Sequence, residues 1–177
     1  MGLLDASTWN ANLFIDGWVP GGGGDYAVVE PATGDELGRL GRANGADVQR
    51  GAARAAEAQR AWAGTGYQER AAILRRAGAL FEEHAEEIQG WIVRETGAIP
   101  PKAQLETWFA ASTCYEAAGL PSQPYGQLLR TRDPILSMSR RLPVGVITVI
   151  APFNFPLILS IRAVAPALAA MCPTRWR

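Results

Sequence analysis

The sequence predicts an α/β fold, on three observations. The first is Pro143-Val-Gly-Val-Ile-Thr-Val-Ile-Ala-Pro-Phe-Asn-Phe-Pro156, a β-branched run closed by two prolines and followed by an apolar helical pattern. The second is a series of helix-period segments between residues 44 and 118. The third is a set of short strand-like stretches before and after those helices. The whole chain has 177 residues, 48% of them hydrophobic, and a formal net charge of +0, which is enough for one domain with a core. The neutral balance argues against nucleic acid or an anionic membrane as the main partner.

The elements follow from local chemistry. Leu13-Phe-Ile-Asp-Gly-Trp-Val19 reads as strand, Asp-Gly turn, strand. Four glycines at 21–24 lack the strand-before, helix-after context of a phosphate loop and read as a flexible hairpin tip. Residues 26–31 and 36–40 are strands around the turn Pro31-Ala-Thr-Gly34. A helix over 44–62 is capped by Asn44 or Asp47 and has Val48, Ala52, Ala55, Gln59 and Trp62 along one stripe. Gly64-Thr-Gly66 breaks it. The next helix starts near Tyr67 and turns Ile73, Leu74, Ala77, Leu80 and Phe81 inward. A third starts near His84, buries Ile88, Trp91 and Ile92, and stops at Gly97. Pro100-Pro101 opens a fourth, to about Ala118, whose expected inner stripe is Leu105, Trp108, Phe109, Ser112 and Tyr115.

His84 is the only histidine, and its neighbours Glu82, Glu83, Glu86 and Glu87 mark a solvated surface more than an acid–base site. Cys114 sits near a helix C-terminus without a base, so it reads as a packing residue. Cys114 and Cys172 make neither a disulfide framework nor a metal spacing. Residues 127–132 and 135–142 form a hairpin around Asp133-Pro134, and a projecting two-stranded ribbon needs something to pack on, such as another subunit.

Residues 144–150 read as a strand buried on both faces, because a one-sided strand would alternate. Pro152 and Pro156 stop it, and Pro156 suits a first helical position. The helix that follows has Leu157, Ile158, Ile161, Val164, Ala165 and Leu168 at helical spacing. Between Ala151 and Pro156, Asn154 is the one side chain able to hydrogen-bond. It either donates to a developing oxyanion or only closes the turn. Met1 to Gly17 has no basic, apolar leader pattern, so a cytoplasmic protein is expected.

The wording from Pro143 to Pro156 resembles the P-x-G-V…P-[FW]-N-[FYA]-P signature of NAD(P)-dependent aldehyde dehydrogenases. The likeness extends through Glu30-Pro-Ala-Thr-Gly34, Glu69-Arg-Ala-x-Ile-Leu74 and Glu95-Thr-Gly97, in family order, over about residues 13–170. Ser122-Gln-Pro-Tyr-Gly126 and residues 151–162 are most similar to the benzaldehyde/vanillin dehydrogenase branch. The resemblance implies a partial Rossmann-like cofactor-binding domain over 1–126, an oligomerisation hairpin over 127–143, and the first strand–turn–helix of the nucleotide-binding sheet over 144–177. It implies Asn154 as the side-chain half of the oxyanion hole. Ile150, Ala151, Pro152 and Phe153 would be the wall beside the nicotinamide of NAD or NADP. Phe155, Ile158, Leu159 and Arg162 would line the aldehyde tunnel, with Arg162 either a polar substrate contact or a surface salt bridge. A homo-oligomer through 127–143 is expected, with no metal.

After Ala170 the resemblance stops. The family continues with a Gly-Asn-Ala-Val-Val-x-Lys-Pro strand and later a nucleophilic Cys and a general-base Glu, whereas here Met171-Cys-Pro-Thr-Arg-Trp-Arg177 follows. Cys172 does not match the family nucleophile. Thr174 to Arg177 lacks the apolar alternation of a strand, and Pro173 ends the helix. The expectation is a frameshift, sequence error or premature stop near codon 171, with family-like coding in the downstream DNA. The isolated chain is expected to be inactive and prone to associate. Its other readings are an assembly module that pairs with intact subunits and a gene remnant.

Overall fold

A computed structural model describes residues 4–124 and 126–170, and the backbone of 174–176. A one-turn helix α1 (Ala6–Trp9) precedes two antiparallel hairpins, β1 (Asn12–Phe14) with β2 (Trp18–Pro20) and β3 (Asp25–Val29) with β4 (Glu36–Gly41). Asp16 and Gly17 take positive φ at the first turn, as an Asp-Gly hairpin requires. Four helices follow: α2 (Gly45–Gly64), α3 (Tyr67–Glu83), α4 (Ala85–Thr96) and α5 (Pro100–Ala117). The chain then forms the hairpin β5 (Gly126–Leu129) and β6 (Ser137–Arg140), the strand β7 (Ile147–Val149), the helix α6 (Pro156–Ala169) and the strand β8 (Thr174–Trp176).

The four glycines are not a hairpin tip. They link β2 to β3 and lie on the start of α2. The Gly22 amide donates to Asp47 Oδ2 at 2.8 Å and the Gly23 amide to the Arg42 carbonyl at 2.9 Å. A Cβ on Gly21 would overlap the Arg42 backbone, and one on Gly22 the Asn44 side chain. Close approach, not flexibility, selects glycine here. At the same place Asn44 and Asp47 cap α2 reciprocally, each side chain accepting from the other's amide at 3.0 Å. Asp47 is buried, and the Asn44 and Gly22 amides hold its carboxyl below the usual carboxylate range.

Helix α5 lies at the centre. Its Ala110, Cys114 and Ala117, with Ala118, pack with Ala71 and Leu74 of α3 and Ile161, Ala165 and Ala169 of α6. Its Ala103 meets Ile88 and Ile92 of α4 in a second cluster. This overturns the expected inner stripe: Leu105, Trp108, Phe109 and Tyr115 are exposed, and Ser112 only half-buried. The buried stripe is Ala103, Glu106, Thr107, Ala110, Ala111, Cys114 and Ala117. A helix apolar or small all round gives no face by hydropathy, and the small residues win because they let α3 and α6 approach closely. In α3 the same effect leaves Ile73 exposed while Gly78 is buried, and in α2 Ala52 is exposed while Gly51 is buried. The helix boundaries agree with the sequence, including the left-handed Gly97 (φ 68) that ends α4.

Two expectations about the C-terminal part are corrected. The strand over 144–150 is not buried on both faces: β7 covers Ile147–Val149, Val149 is buried, and Val144 and Ile150 are exposed. A central parallel strand is buried only when neighbours and helices cover both sides, and among the described residues β7 has one strand partner and α6. That partner is β8, which runs parallel to β7 with Ile147 opposite Thr174 and Val149 opposite Trp176. A strand therefore does form where the lack of apolar alternation argued against one, since a ladder needs only backbone groups and Thr and Trp favour extended structure. The readings of Tyr125, Met171, Cys172, Pro173 and Arg177 lie outside the described residues. No described helix is long and apolar enough to cross a membrane.

The Asn44→Ala substitution removes half of the reciprocal cap and should cost about 1 kcal/mol in denaturant unfolding. Because the Asp47 carboxyl titrates lower in the folded state than in the unfolded chain, its contribution is present above the unfolded value and lost as pH falls through the folded one. Acid unfolding of Asp47→Asn should therefore be less steep over that window than that of the parent chain, and an unchanged slope would contradict the assignment.

Candidate functional site

The turn between β7 and α6 presents the candidate site. Val149 anchors its entry in the core, and residues 150–155 then leave the ladder. Phe155 (φ −143, ψ 65) is the residue before α6, and Pro156 occupies the first helical position. Phe155 has no side chain able to cap a helix, so the amides of Leu157 and Ile158 depend on an acceptor from elsewhere.

Glu106 of α5 supplies it. Its carboxylate is fully buried, and its Oε2 accepts from the Leu157 amide at 3.0 Å and the Ile158 amide at 3.4 Å. The other oxygen, Oε1, accepts from Lys102 Nζ at 2.5 Å, one turn back along α5. The Lys102 ammonium also lies 4.6 Å from the centre of the Phe155 ring. A buried carboxylate thus meets an ammonium on one side and the positive end of a helix on the other. The sequence reading missed both residues. Their signals were available: Lys102 is the only lysine, four residues before Glu106, and Glu106 shares a helical face with Ala103, Ala110, Cys114 and Ala117.

Asn154 stands at the exposed tip of the turn, and its carboxamide makes no hydrogen bond to another described residue. Its side chain is therefore not what closes the turn. Ile150, Pro152 and Phe153 are exposed beside it, Phe153 almost completely, and Ala151 is half-buried. Phe155, just before α6, and Ile158, Leu159 and Arg162 on it fall on one side by their i, i+3, i+4 and i+7 spacing. The first three are half-buried and Arg162 is exposed. Arg162 forms no ion pair among the described residues, which disfavours the surface salt bridge. The opposite face of α6, with Ser160, Ile161, Val164 and Ala165, is buried in the core.

The two remaining candidate groups lie elsewhere. Cys114 is buried at the centre of the helical layer, and burial pushes its thiol up to about 11, so it is no thiolate at neutral pH. His84 joins α3 to α4, with Nδ1 3.6 Å from Glu87 Oε2.

Comparison with known proteins covers nearly the whole chain. Residues 18–176 match the aldehyde dehydrogenase family. A vanillin dehydrogenase of an Amycolatopsis species is 59% identical over 169 residues, which are 96% of this chain and 35% of that protein. A benzaldehyde dehydrogenase [NAD(+)] of Pseudomonas putida is 46% identical over 162 residues, 91% of this chain and 33% of that one. The crystal structure of an NAD-dependent benzaldehyde dehydrogenase from Corynebacterium glutamicum superposes with a TM-score of 0.91 at 35% identity, over 99% of this chain and 38% of that one. The chain spans about a third of the length of the curated relatives it matches.

If Glu106 holds the start of α6, Glu106→Ala should destabilise the chain by about 3–5 kcal/mol, the range for removing one partner of a buried pair. Glu106→Gln keeps an acceptor for the two amides and should cost clearly less. Equal losses in chemical denaturation would show that the carboxylate matters only as volume.

Proposed function

The chain belongs to the aldehyde dehydrogenase family, and from that premise we propose that it forms the N-terminal part of a nicotinamide-dependent enzyme that oxidises aromatic aldehydes to acids. The observation that carries this reading is the free, exposed carboxamide of Asn154 on a turn fixed from behind by Glu106. In the reaction a thiolate adds to the aldehyde carbon, a C–S bond forms, and the carbonyl π electrons move onto oxygen. Asn154 Nδ2–H donates to that oxygen as its charge grows, which is the step where a preorganised donor lowers the barrier. Residues 150–153 would lie beside the nicotinamide of NAD or NADP, which when bound would supply a hydride acceptor, and water would then release the acid.

The exposed apolar residues Ile150, Pro152 and Phe153, with Ala151, would offer a wall to one side of a nicotinamide ring and would keep water from the hydride path. These residues offer a wall and not a full cradle, since none of them is a charged group for the cofactor's phosphates. Phe155, Ile158 and Leu159 offer an apolar face suited to a benzene ring, and Arg162 at its end suits a polar ring substituent. The substrate preference is supported by the names of the vanillin and benzaldehyde dehydrogenases to which the chain is similar. The three segments, 1–126, 127–143 and 144–177, are then the leading part of the cofactor domain, an assembly hairpin, and the opening strand–turn–helix of the cofactor sheet.

Among the described residues the one cysteine, Cys114, is buried with its thiol pushed up to about 11, and on this reading the chain alone is expected not to turn over. A second reading, as an assembly module, is favoured by the exposed Leu128, Ile135, Leu136 and Met138 on the β5–β6 hairpin.

Joining residues 1–170 to the rest of the Amycolatopsis vanillin dehydrogenase should give an enzyme that oxidises vanillin or benzaldehyde. Asn154→Ala in that chimera should lower kcat by roughly 100- to 1,000-fold, the effect of losing one oxyanion donor, while the 177-residue chain gives no NADH or NADPH above buffer. An Asn154→Ala chimera with unchanged kcat would overturn the assignment. A pull-down in which only the hairpin-bearing 177-residue chain captures the full-length relative would favour the assembly reading.

A further inference from the structure

Lys102, the only lysine of the chain, stands between the two helices that carry the candidate site. Its Nζ donates to Glu106 Oε1 at 2.5 Å, and Glu106 Oε2 accepts from the Leu157 and Ile158 amides. Two residues before Leu157, the Phe155 ring has its centre 4.6 Å from the same Nζ. The contacts thus run from α5 to the first turn of α6 and back again. Only 22% of the Lys102 side chain is exposed, so the ammonium is held at both of its contacts and is not a loose surface group.

Phe155 has little else to fix its ring. It packs in neither of the two core clusters, and among the described residues no other aromatic ring meets it. It is half-buried, beside Ile158 and Leu159 at helical spacing, so part of the ring remains accessible. A cation is drawn to the negative π face and so favours one ring orientation. An apolar side chain of the same length would touch the ring without choosing an orientation. A flat substrate depends on that choice, because aromatic pairs gain only in offset-stacked or edge-to-face arrangements. A short aliphatic aldehyde has no flat face and gains nothing from it.

We propose that Lys102 is a positioning residue that sets the preference for aromatic over aliphatic aldehydes, by holding the Phe155 ring as a fixed wall of the substrate face. This rests on the oxidation reading, in which Phe155 lines the aldehyde site, and Lys102 acts through Phe155 without touching substrate. Two measurements test it. In NMR of the 177-residue chain, the ε-methylene protons of its one lysine should lie upfield of those of an unstructured lysine, because of the Phe155 ring current, and should lose that shift in Phe155→Leu. In the chimera of residues 1–170 with the rest of the Amycolatopsis vanillin dehydrogenase, Lys102→Met should lower the ratio of kcat/KM for benzaldehyde to that for propanal. The expected fall is roughly 3- to 10-fold, the worth of one oriented aromatic contact. Damage passed through Glu106 to Asn154 would slow both aldehydes alike and cancel in that ratio. Lys102→Met combined with Glu106→Gln, which leaves no unpaired carboxylate in the core, should lower it equally. Lys102→Arg should keep the parent ratio, and in a Phe155→Leu background Lys102→Met should change it no further. An active parent chimera whose Lys102→Met and double variants keep the parent ratio would overturn this proposal alone, and so would a Lys102 signal without the upfield shift. A parent chimera that oxidises neither aldehyde would overturn the oxidation reading and this proposal with it.

Discussion

A helix that begins on Pro156, after a residue with no capping side chain, leaves the amides of Leu157 and Ile158 without acceptors, and Glu106 is what satisfies them. Burying that carboxylate would be strongly unfavourable alone, because an isolated charge loses its hydration on entering the core. Lys102 on one side and the start of α6 on the other offset the loss. The consequence reaches the functional turn. With the first turn of α6 pinned to α5 and Val149 buried at the end of β7, residues 150–155 span a short distance between two fixed points. Asn154 therefore projects from a supported turn without spending its own carboxamide on closing it.

The same constraint explains the choice of small residues in the core. Glu106 reaches the α6 amides only if α5 and α6 lie close, and Ala110, Cys114, Ala165 and Ala169 permit that approach. The large apolar side chains of α5, among them Leu105, Trp108 and Phe109, are left facing outward. Val144, Ile150 and Phe153 are exposed as well, and exposed large apolar side chains are places where further protein or ligand packs.

What the sequence made legible was local. The Asn44 cap, the Gly97 stop, the Pro100 start and the Asp16-Gly17 turn each depend on a few neighbouring residues, and each was readable. The β7–α6 turn was readable because its prolines, its β-branched run and its family wording coincide within fourteen residues of chain, 143–156. What stayed hidden depends on distant partners. Which face of α5 is buried is decided by α3 and α6, and the role of Gly22 by Asp47, 25 residues away. The link from Glu106 to Leu157 crosses 51 residues, so no window of sequence contains it. The strand β8 was hidden for another reason: side-chain alternation reports burial, whereas pairing with β7 is made by the backbone.

The central claim is that Glu106 fixes the first turn of α6 and, through it, the turn that presents Asn154. Amide hydrogen exchange of the 177-residue chain, resolved by residue, addresses it most directly. The account predicts that Leu157 and Ile158, which have no intrahelical acceptor, exchange as slowly as the interior α6 amides from Ile161 to Ala165. Exchange of these two amides at the rate of an unprotected turn, with the α6 interior still protected, would contradict it.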